Sequence, residues 1–183
     1  MYENFKFQEP IYVTRPILPA LTDLNEKLKA IWQSKWLTNH GSMHCELEER
    51  LQVVLKVRNV SAFNNGTIAL LTALKALDLP VGSEVITTPF TFPATAHCIA
   101  WNGLQPVFCD IEPDTMTIDP EGIEELINAN TSAILGVHIY GCPCDVEKIQ
   151  KIADGFITIK MSDEIESINV ASAAAIIFYE LYK

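Results

Sequence analysis

From residue 59 onward the chain alternates short β-rich runs with helical stretches four times over. The runs "NVSAF", "EVITT", "QPVFCDI" and "SAILGVHI" are followed in turn by "GTIALLTALKAL", "FPATAHCIAWNG", "PEGIEELINA" and "DVEKIQKIAD". This rhythm leaves few folds open. A crossover of helix length returns the chain to the same edge and makes successive strands parallel, so helices must cover both faces of the sheet. The expected fold class is therefore α/β, a mostly parallel sheet with helices on both faces. Upstream, "LTDLNEKLKAIWQSKWLT" places Leu24, Leu28, Ile31 and Trp32 at helical spacing, with Thr22 or Asp23 available as N-cap. After the turn-like "TNHGS", a second helix is expected at "MHCELEERLQVVLK".

A chain of 183 residues with 49% hydrophobic content can bury one core, or one domain and a fragment. Its formal net charge of -10 would repel nucleic acid and anionic lipid, so small metabolites are the expected partners, with no nucleic acid and no membrane. No apolar run reaches the roughly 20 residues that span a bilayer, and the opening "MYENFKFQEPIYVTRP" has no signal-like n- and h-regions. A cytoplasmic location is expected. The five cysteines are scattered apart from Cys142-Pro143-Cys144, which is not a C-x2-C zinc pair, so reduced structural thiols and no metal are expected.

The most informative short segment is "SAFNNGTIALLTALKAL", a strand-like run, then Asn64-Asn65-Gly66-Thr67, then a strong helix former. The first N–H groups of a helix lack intrahelical partners and sit at the positive end of its dipole, a place that suits a phosphate. Gly66 would let the anion approach and the Thr67 hydroxyl could add a hydrogen bond. The same letters also describe an ordinary capped helix. Phe92 follows the second strand-like run, at the end of the sheet where ligands bind in open α/β folds. A flat ring beside a phosphate loop suits a planar phosphorylated heterocycle; core packing is the competing role for Phe92.

Five segments carry a resemblance: "WLTNHG" (36–41), "NNGTIAL" (64–70), "GSEVITTPFTFPATAH" (82–97), "PVFCDIEPDTMTIDPEGIE" (106–124) and "VHIYGCPCDVEKIQKIAD" (137–154). Residues of about 9–154 resemble the N-terminal part of the DegT/DnrJ/EryC1/StrS family of pyridoxal-phosphate-dependent sugar aminotransferases, which serve polysaccharide biosynthesis. The resemblance implies a fold type I large domain and a homodimer whose active sites borrow from both subunits. It also implies pyridoxal 5'-phosphate as cofactor, an amino-acid donor and a nucleotide-linked keto sugar as acceptor. Gly66 and Thr67 fall on the family's phosphate-binding turn, and Phe92 on the aromatic that stacks on the pyridine ring. Thr38 and Asn39 fall in a substrate segment that is one residue longer here before Gly41. His97 replaces a common Asn and reads as a surface or helix-packing residue, while His138 would shape the site from a strand end.

Transamination needs a lysine that holds the cofactor and moves the proton, and a carboxylate that keeps the pyridine nitrogen protonated. The family's S-F-H-x-T-K lysine segment is not found in these residues, and neither Lys160 nor Lys183 has the required neighbours. Asp163 stands at about the expected distance after Asp154 for the carboxylate, but without the family's D-A-A-H/Q-A pattern. From about residue 157, "ITIKMSDEIESINVASAAAIIFYELYK" resembles instead the C-terminal motif of SpoU/TrmH RNA 2'-O-ribose methyltransferases through Met161, Glu166, Ser167, Asn169 and Val170. That likeness would imply S-adenosylmethionine, yet the upstream motifs of that family are missing from these residues. The expectation is a truncated aminotransferase-like large domain over 1–154, joined to a strand-plus-helix tail over 155–183. Such a chain would be a fragment without catalytic capacity of its own. The alternatives are a SpoU-like methyltransferase remnant or a non-catalytic α/β remnant.

Overall fold

The computed structural model describes residue 12 and residues 16–155. Asp163 and the methyltransferase-like tail lie outside the described residues. Contacts divide the chain into two units, residues 1–45 and 46–183. The first holds α1 (Leu21–Ser34) and the start of α2 (Ser42–Leu55). Helix α1 begins at Leu21, one residue before the expected start, and its cap position is Ala20 rather than a hydroxyl or carboxylate. It buries none of its residues, and its stripe of Leu24, Leu28 and Trp32 stays exposed.

The second unit continues with α3 (Gly66–Ala76), β1 (Glu84–Thr87), α4 (Ala94–Trp101), β2 (Gln105–Phe108), α5 (Pro120–Leu126), β3 (Thr131–Ile134) and α6 (Val146–Ile152). The expected alternation is present from β1 onward. Both neighbours pair with β1 in parallel, giving the order β2-β1-β3. Ile86 stands opposite Val107 on one side and Ile134 on the other, and an irregularity between Glu84 and Val85 interrupts the ladder to β3. Pro106 lies in β2, which pairs only with β1 among the described residues, as expected for a residue that cannot donate to a ladder on both sides.

Successive side chains of a strand point to opposite faces, and β1 uses both. Val85 packs with Leu74 of α3, Cys98 and Ile99 of α4, and Leu104. Its neighbour Ile86 packs with Cys109, Ile118, Ile123 of α5, Cys144 and Ile149 of α6. The result is three layers, with α3 and α4 over one face of the sheet and α5 and α6 over the other.

One expected strand is not a strand. Residues 59–63, "NVSAF", enter no ladder among the described residues, although β2 and β3 each pair on one side only. Val60 is nevertheless buried, and the Ala62 N–H donates to Glu48 Oε1 at 2.8 Å. The segment is buried at Val60, but it lacks the hydrogen-bonded pairing of a strand among the described residues.

Because Ile86 is wholly buried between β2, β3 and the α5–α6 layer, Ile86→Ala should cost about 2–5 kcal/mol of unfolding free energy. Urea unfolding should show a lower midpoint at unchanged slope; a midpoint like that of the unaltered chain would contradict this packing.

Candidate functional site

Helix α3 begins where the chain leaves the buried Val60 segment, and Asn65 sets its first turn. Asn65 has extended backbone angles, its side-chain oxygen accepts from the Ile68 N–H at 2.9 Å, and its carbonyl accepts from the Ala69 N–H at 3.3 Å. Of the four N–H groups that a helix start leaves without partners, those of residues 65–68, the cap satisfies one, Ile68, while Ala69 makes the first intrahelical bond. The N–H groups of Gly66 and Thr67 remain, with no acceptor among the described residues, and the Thr67 hydroxyl likewise donates to none. Three donors thus converge on the positive end of an 11-residue helix. The ordinary helix cap expected of "NNGT" is present on Asn65, and it leaves Gly66 and Thr67 free.

The loop between β1 and α4 runs from Thr88 to Pro93. Thr87 and Thr88 are fully buried polar residues, and both are paired: the Thr87 hydroxyl donates to the Leu135 carbonyl at 2.8 Å, and Thr88 Oγ1 accepts from the Phe90 N–H at 3.1 Å. Farther along, the hydroxyls of Thr91 and Thr95 lie 2.9 Å apart, and the Thr95 N–H donates to the Phe92 carbonyl at 3.0 Å. The loop is therefore pinned at both ends. Phe92 itself is 74% exposed, which removes core packing as its role within these residues. It stands in the loop at the C-terminal side of β1, ahead of α4.

The segment after β3 adds His138, which stands four residues beyond the strand's last residue, Ile134, and not at a strand end as expected. Its Nδ1 accepts from the Cys144 N–H at 3.1 Å, which fixes the neutral tautomer with the proton on Nε2. The ring keeps an exposed edge, yet its partial burial holds the imidazole below its usual value of 6.5. Cys144 is buried in the α5–α6 core, and burial raises its thiol above the ordinary cysteine range. Cys98, Cys109 and Cys144 are all buried free thiols, and no cluster of metal-binding side chains occurs among the described residues. No helix among them is long and apolar enough to cross a membrane.

Gly66, Thr67, Phe92 and His138 therefore belong to one unit and to the loops and helix start around its sheet. Thr38 and Asn39 belong to the other unit, in an exposed turn where the Trp36 indole N–H donates to the Asn39 carbonyl at 3.2 Å. In that turn the left-handed residue is His40, with φ 55°, rather than Gly41. His97 is exposed on α4 with its ring 5.5 Å from that of Trp101, in keeping with the helix-surface role expected for it. Sequence reasoning did not single out Asn65 as the cap, although an Asn immediately before a strong helix former is the usual signal for one. Nor did it find the contact from Cys144 to His138, which depends on a loop that folds back on itself.

The family model of the DegT/DnrJ/EryC1/StrS aminotransferase family matches residues 21–167. The match runs past the join expected at Gly155 and takes in Asp163. Among curated proteins, the chain is 56% identical over 146 residues to a dTDP-4-amino-4,6-dideoxy-D-glucose transaminase of Escherichia coli, covering 80% of this chain and 39% of that protein. It is 32% identical over 158 residues to a GDP-perosamine synthase of Vibrio cholerae, covering 85% of this chain and 43% of the other. Among solved structures, DesI in the presence of its TDP-sugar product superimposes with a TM-score of 0.71 at 39% identity, covering 81% of this chain and 37% of that one. NtdA of Bacillus subtilis with bound cofactor PMP gives a TM-score of 0.70 at 33% identity, covering 82% and 36%. The chain thus spans about two fifths of the length of the curated relatives it matches.

Two outcomes follow from this geometry. Phe92→Ala should leave stability within about 0.5 kcal/mol, since little of the ring is buried, whereas Asn65→Ala should cost about 1 kcal/mol through the lost cap. Thermal unfolding of the two variants side by side would show the contrast, and a large loss for Phe92→Ala would restore a core role. For His138, a folded value below 6.5 means that the unfolded chain binds the extra proton, so its contribution makes stability rise as pH increases through 6.5 and fall below it. Urea midpoints at pH 5 and pH 7.5 should differ more in the unaltered chain than in His138→Gln.

Proposed function

The chain belongs to the DegT/DnrJ/EryC1/StrS aminotransferase family, and from that membership we propose that its 183 residues carry the cofactor-phosphate part of a pyridoxal-phosphate-dependent aminotransferase acting on nucleotide-linked keto sugars. One observation carries the reading. The N–H groups of Gly66 and Thr67 and the Thr67 hydroxyl are three unclaimed donors at a capped helix start, within the same unit as an aromatic ring left in solvent. Their chemistry fits a phosphate attached to a planar ring: hard donors for the anion, and a flat apolar face for the heterocycle.

In this reading Gly66 and Thr67 hold the phosphate of pyridoxal 5'-phosphate, and Phe92 lies against the pyridine. The bound cofactor supplies an electron sink, which is what amino transfer requires. Asn65 keeps the donors open by taking Ile68 for itself. The neutral His138 contributes a fixed N–H in the segment after β3 and is no general base while Nδ1 is engaged. Asp163, at about the family's distance, is assigned to the pyridine nitrogen, where a carboxylate holds a proton on the ring. Thr38 and Asn39 are assigned to the sugar substrate. The partners are a nucleotide sugar and an amino-acid donor, and the working assembly is a homodimer in the cytoplasm.

These residues do not offer a suitable lysine amine to hold the cofactor covalently and move the proton, so the 183 residues alone bind without turning over. The methyltransferase-like tail over 157–183 is the second reading; saturable S-adenosylmethionine binding by calorimetry would be needed to sustain it.

Binding of pyridoxal phosphate to the full chain, followed by absorbance and by competition with inorganic phosphate, tests the assignment. Thr67→Val should weaken binding about tenfold, or ~1.4 kcal/mol, and leave binding of unphosphorylated pyridoxal unchanged. Absence of any phosphate-competable binding by the unaltered chain would remove the proposal. Borohydride reduction should leave no single lysine stoichiometrically labelled, and measurable transamination by the chain alone would refute its inactivity.

A further inference from the structure

Cys98 of α4 and Asn102, the residue at its C-cap, reach across to the backbone of α3. The Cys98 thiol donates to the Thr67 carbonyl at 3.3 Å. The Asn102 side-chain amide donates to the Leu71 carbonyl at 3.1 Å and to the Cys98 carbonyl of its own helix at 2.9 Å. The donors are four residues apart on α4, and the acceptors are four residues apart on α3. One helical turn on one helix is thus matched by one turn on the other, so that sliding or rolling α3 along α4 breaks both contacts together.

So short a side chain as cysteine touches a neighbouring backbone only when the helices approach closely. On the α3 side, Leu70, Leu71 and Leu74 pack in the same cluster as Cys98 and Ile99. Cys98 is wholly buried, and desolvation raises its thiol, so the proton that makes the contact is retained at neutral pH. The start of α4 is tied in turn to Phe92, through the Thr95 N–H on the Phe92 carbonyl and the Thr91–Thr95 hydroxyl pair.

We propose that Cys98 and Asn102 are positioning residues that lock the start of α3 to α4 and so fix the free donors of Gly66 and Thr67 in relation to the loop carrying Phe92. Neither side chain need touch a ligand. Their role is to make one helix serve as the reference for both the anion donors and the ring. The functional consequence rests on the phosphate reading above, whereas the mechanical part does not.

The test uses the full chain with Cys98→Ala, Cys98→Ser, Asn102→Ala and no substitution. Amide hydrogen exchange is read at Ile68 and Ala69, in the first turn of α3, and at Ile123, in the opposite core. Cys98→Ala and Asn102→Ala should speed exchange at Ile68 and Ala69 by about tenfold relative to Ile123, and Cys98→Ser, which keeps a short donor, should restore the protection. In parallel, the two alanine variants should weaken pyridoxal phosphate binding about five- to tenfold with pyridoxal binding unchanged, and Cys98→Ser should recover it. Uniform acceleration at all three amides, or a serine variant no better than alanine, overturns the proposal and leaves these residues as ordinary packing. If the unaltered chain binds no pyridoxal phosphate, the phosphate reading fails, and the exchange measurement alone decides whether the lock exists.

Discussion

Two adjacent residues of the central strand, Val85 and Ile86, carry the organisation of the larger unit. Both are fully buried, and because neighbouring side chains of a strand leave it on opposite faces, each commits a different layer of helices. Burying either side chain is worth roughly 1.5–3 kcal/mol, and each burial requires its own layer to be in place. A one-residue slip of β1 would exchange the two faces and place Thr87 where Ile86 now packs. The register is thus fixed by hydrophobic demand from both sides, and the parallel pairing to β2 and β3 follows from helices being the only elements that can supply that cover.

Fixing β1 also fixes what stands beyond its end. Thr87 and Thr88 continue the strand into the buried region, and their hydroxyls are taken up by the Leu135 carbonyl and the Phe90 N–H. Both contacts lie in a low-dielectric setting where an unpaired hydroxyl would be costly, so they restrict the loop leading to Phe92 and the strand end leading to His138. The site loops owe their placement to satisfied polar groups rather than to apolar packing of their own. This arrangement explains why a ring as large as Phe92 can be held in solvent: its backbone is anchored by Thr95, not by its side chain.

Periodicity made most of this unit legible in the sequence. β1, β2 and the helices α3 to α6 fall within the stretches that alternation picked out, because each buries a face whose repeat is written in the order of residues, while β3 starts one residue early and ends at Ile134, short of the expected run to Ile139. The run 59–63 shows the limit of that signal. Its letters encode apolar, extended character, but a strand exists only in relation to a neighbour, and among the described residues the segment pairs with none. The places of Gly66 and Thr67 at a helix start and of Phe92 in the loop after β1 were legible, the first because a helix start has a local signature and the second because strand ends are where loops gather. The supporting contacts were not: Cys98 to Thr67 and Asn102 to Leu71 each join residues 31 positions apart, and no local pattern announces them.

The separation of these roles along the chain bears on what the 183 residues can do. The donors of Gly66 and Thr67, their cap on Asn65, the two contacts from α4 and the loop of Phe92 all arise between residues 64 and 102, within one unit and over one face of the sheet. An anion anchor built from backbone N–H groups needs only that its helix be capped and held, and both conditions are met locally. Proton movement makes a different demand, because an amine must be delivered to one point with its protonation tuned by surroundings the described residues do not supply. In the proposed reading, anion anchoring is therefore the part of the chemistry that these local contacts support, in residues that span about two fifths of the length of their curated relatives.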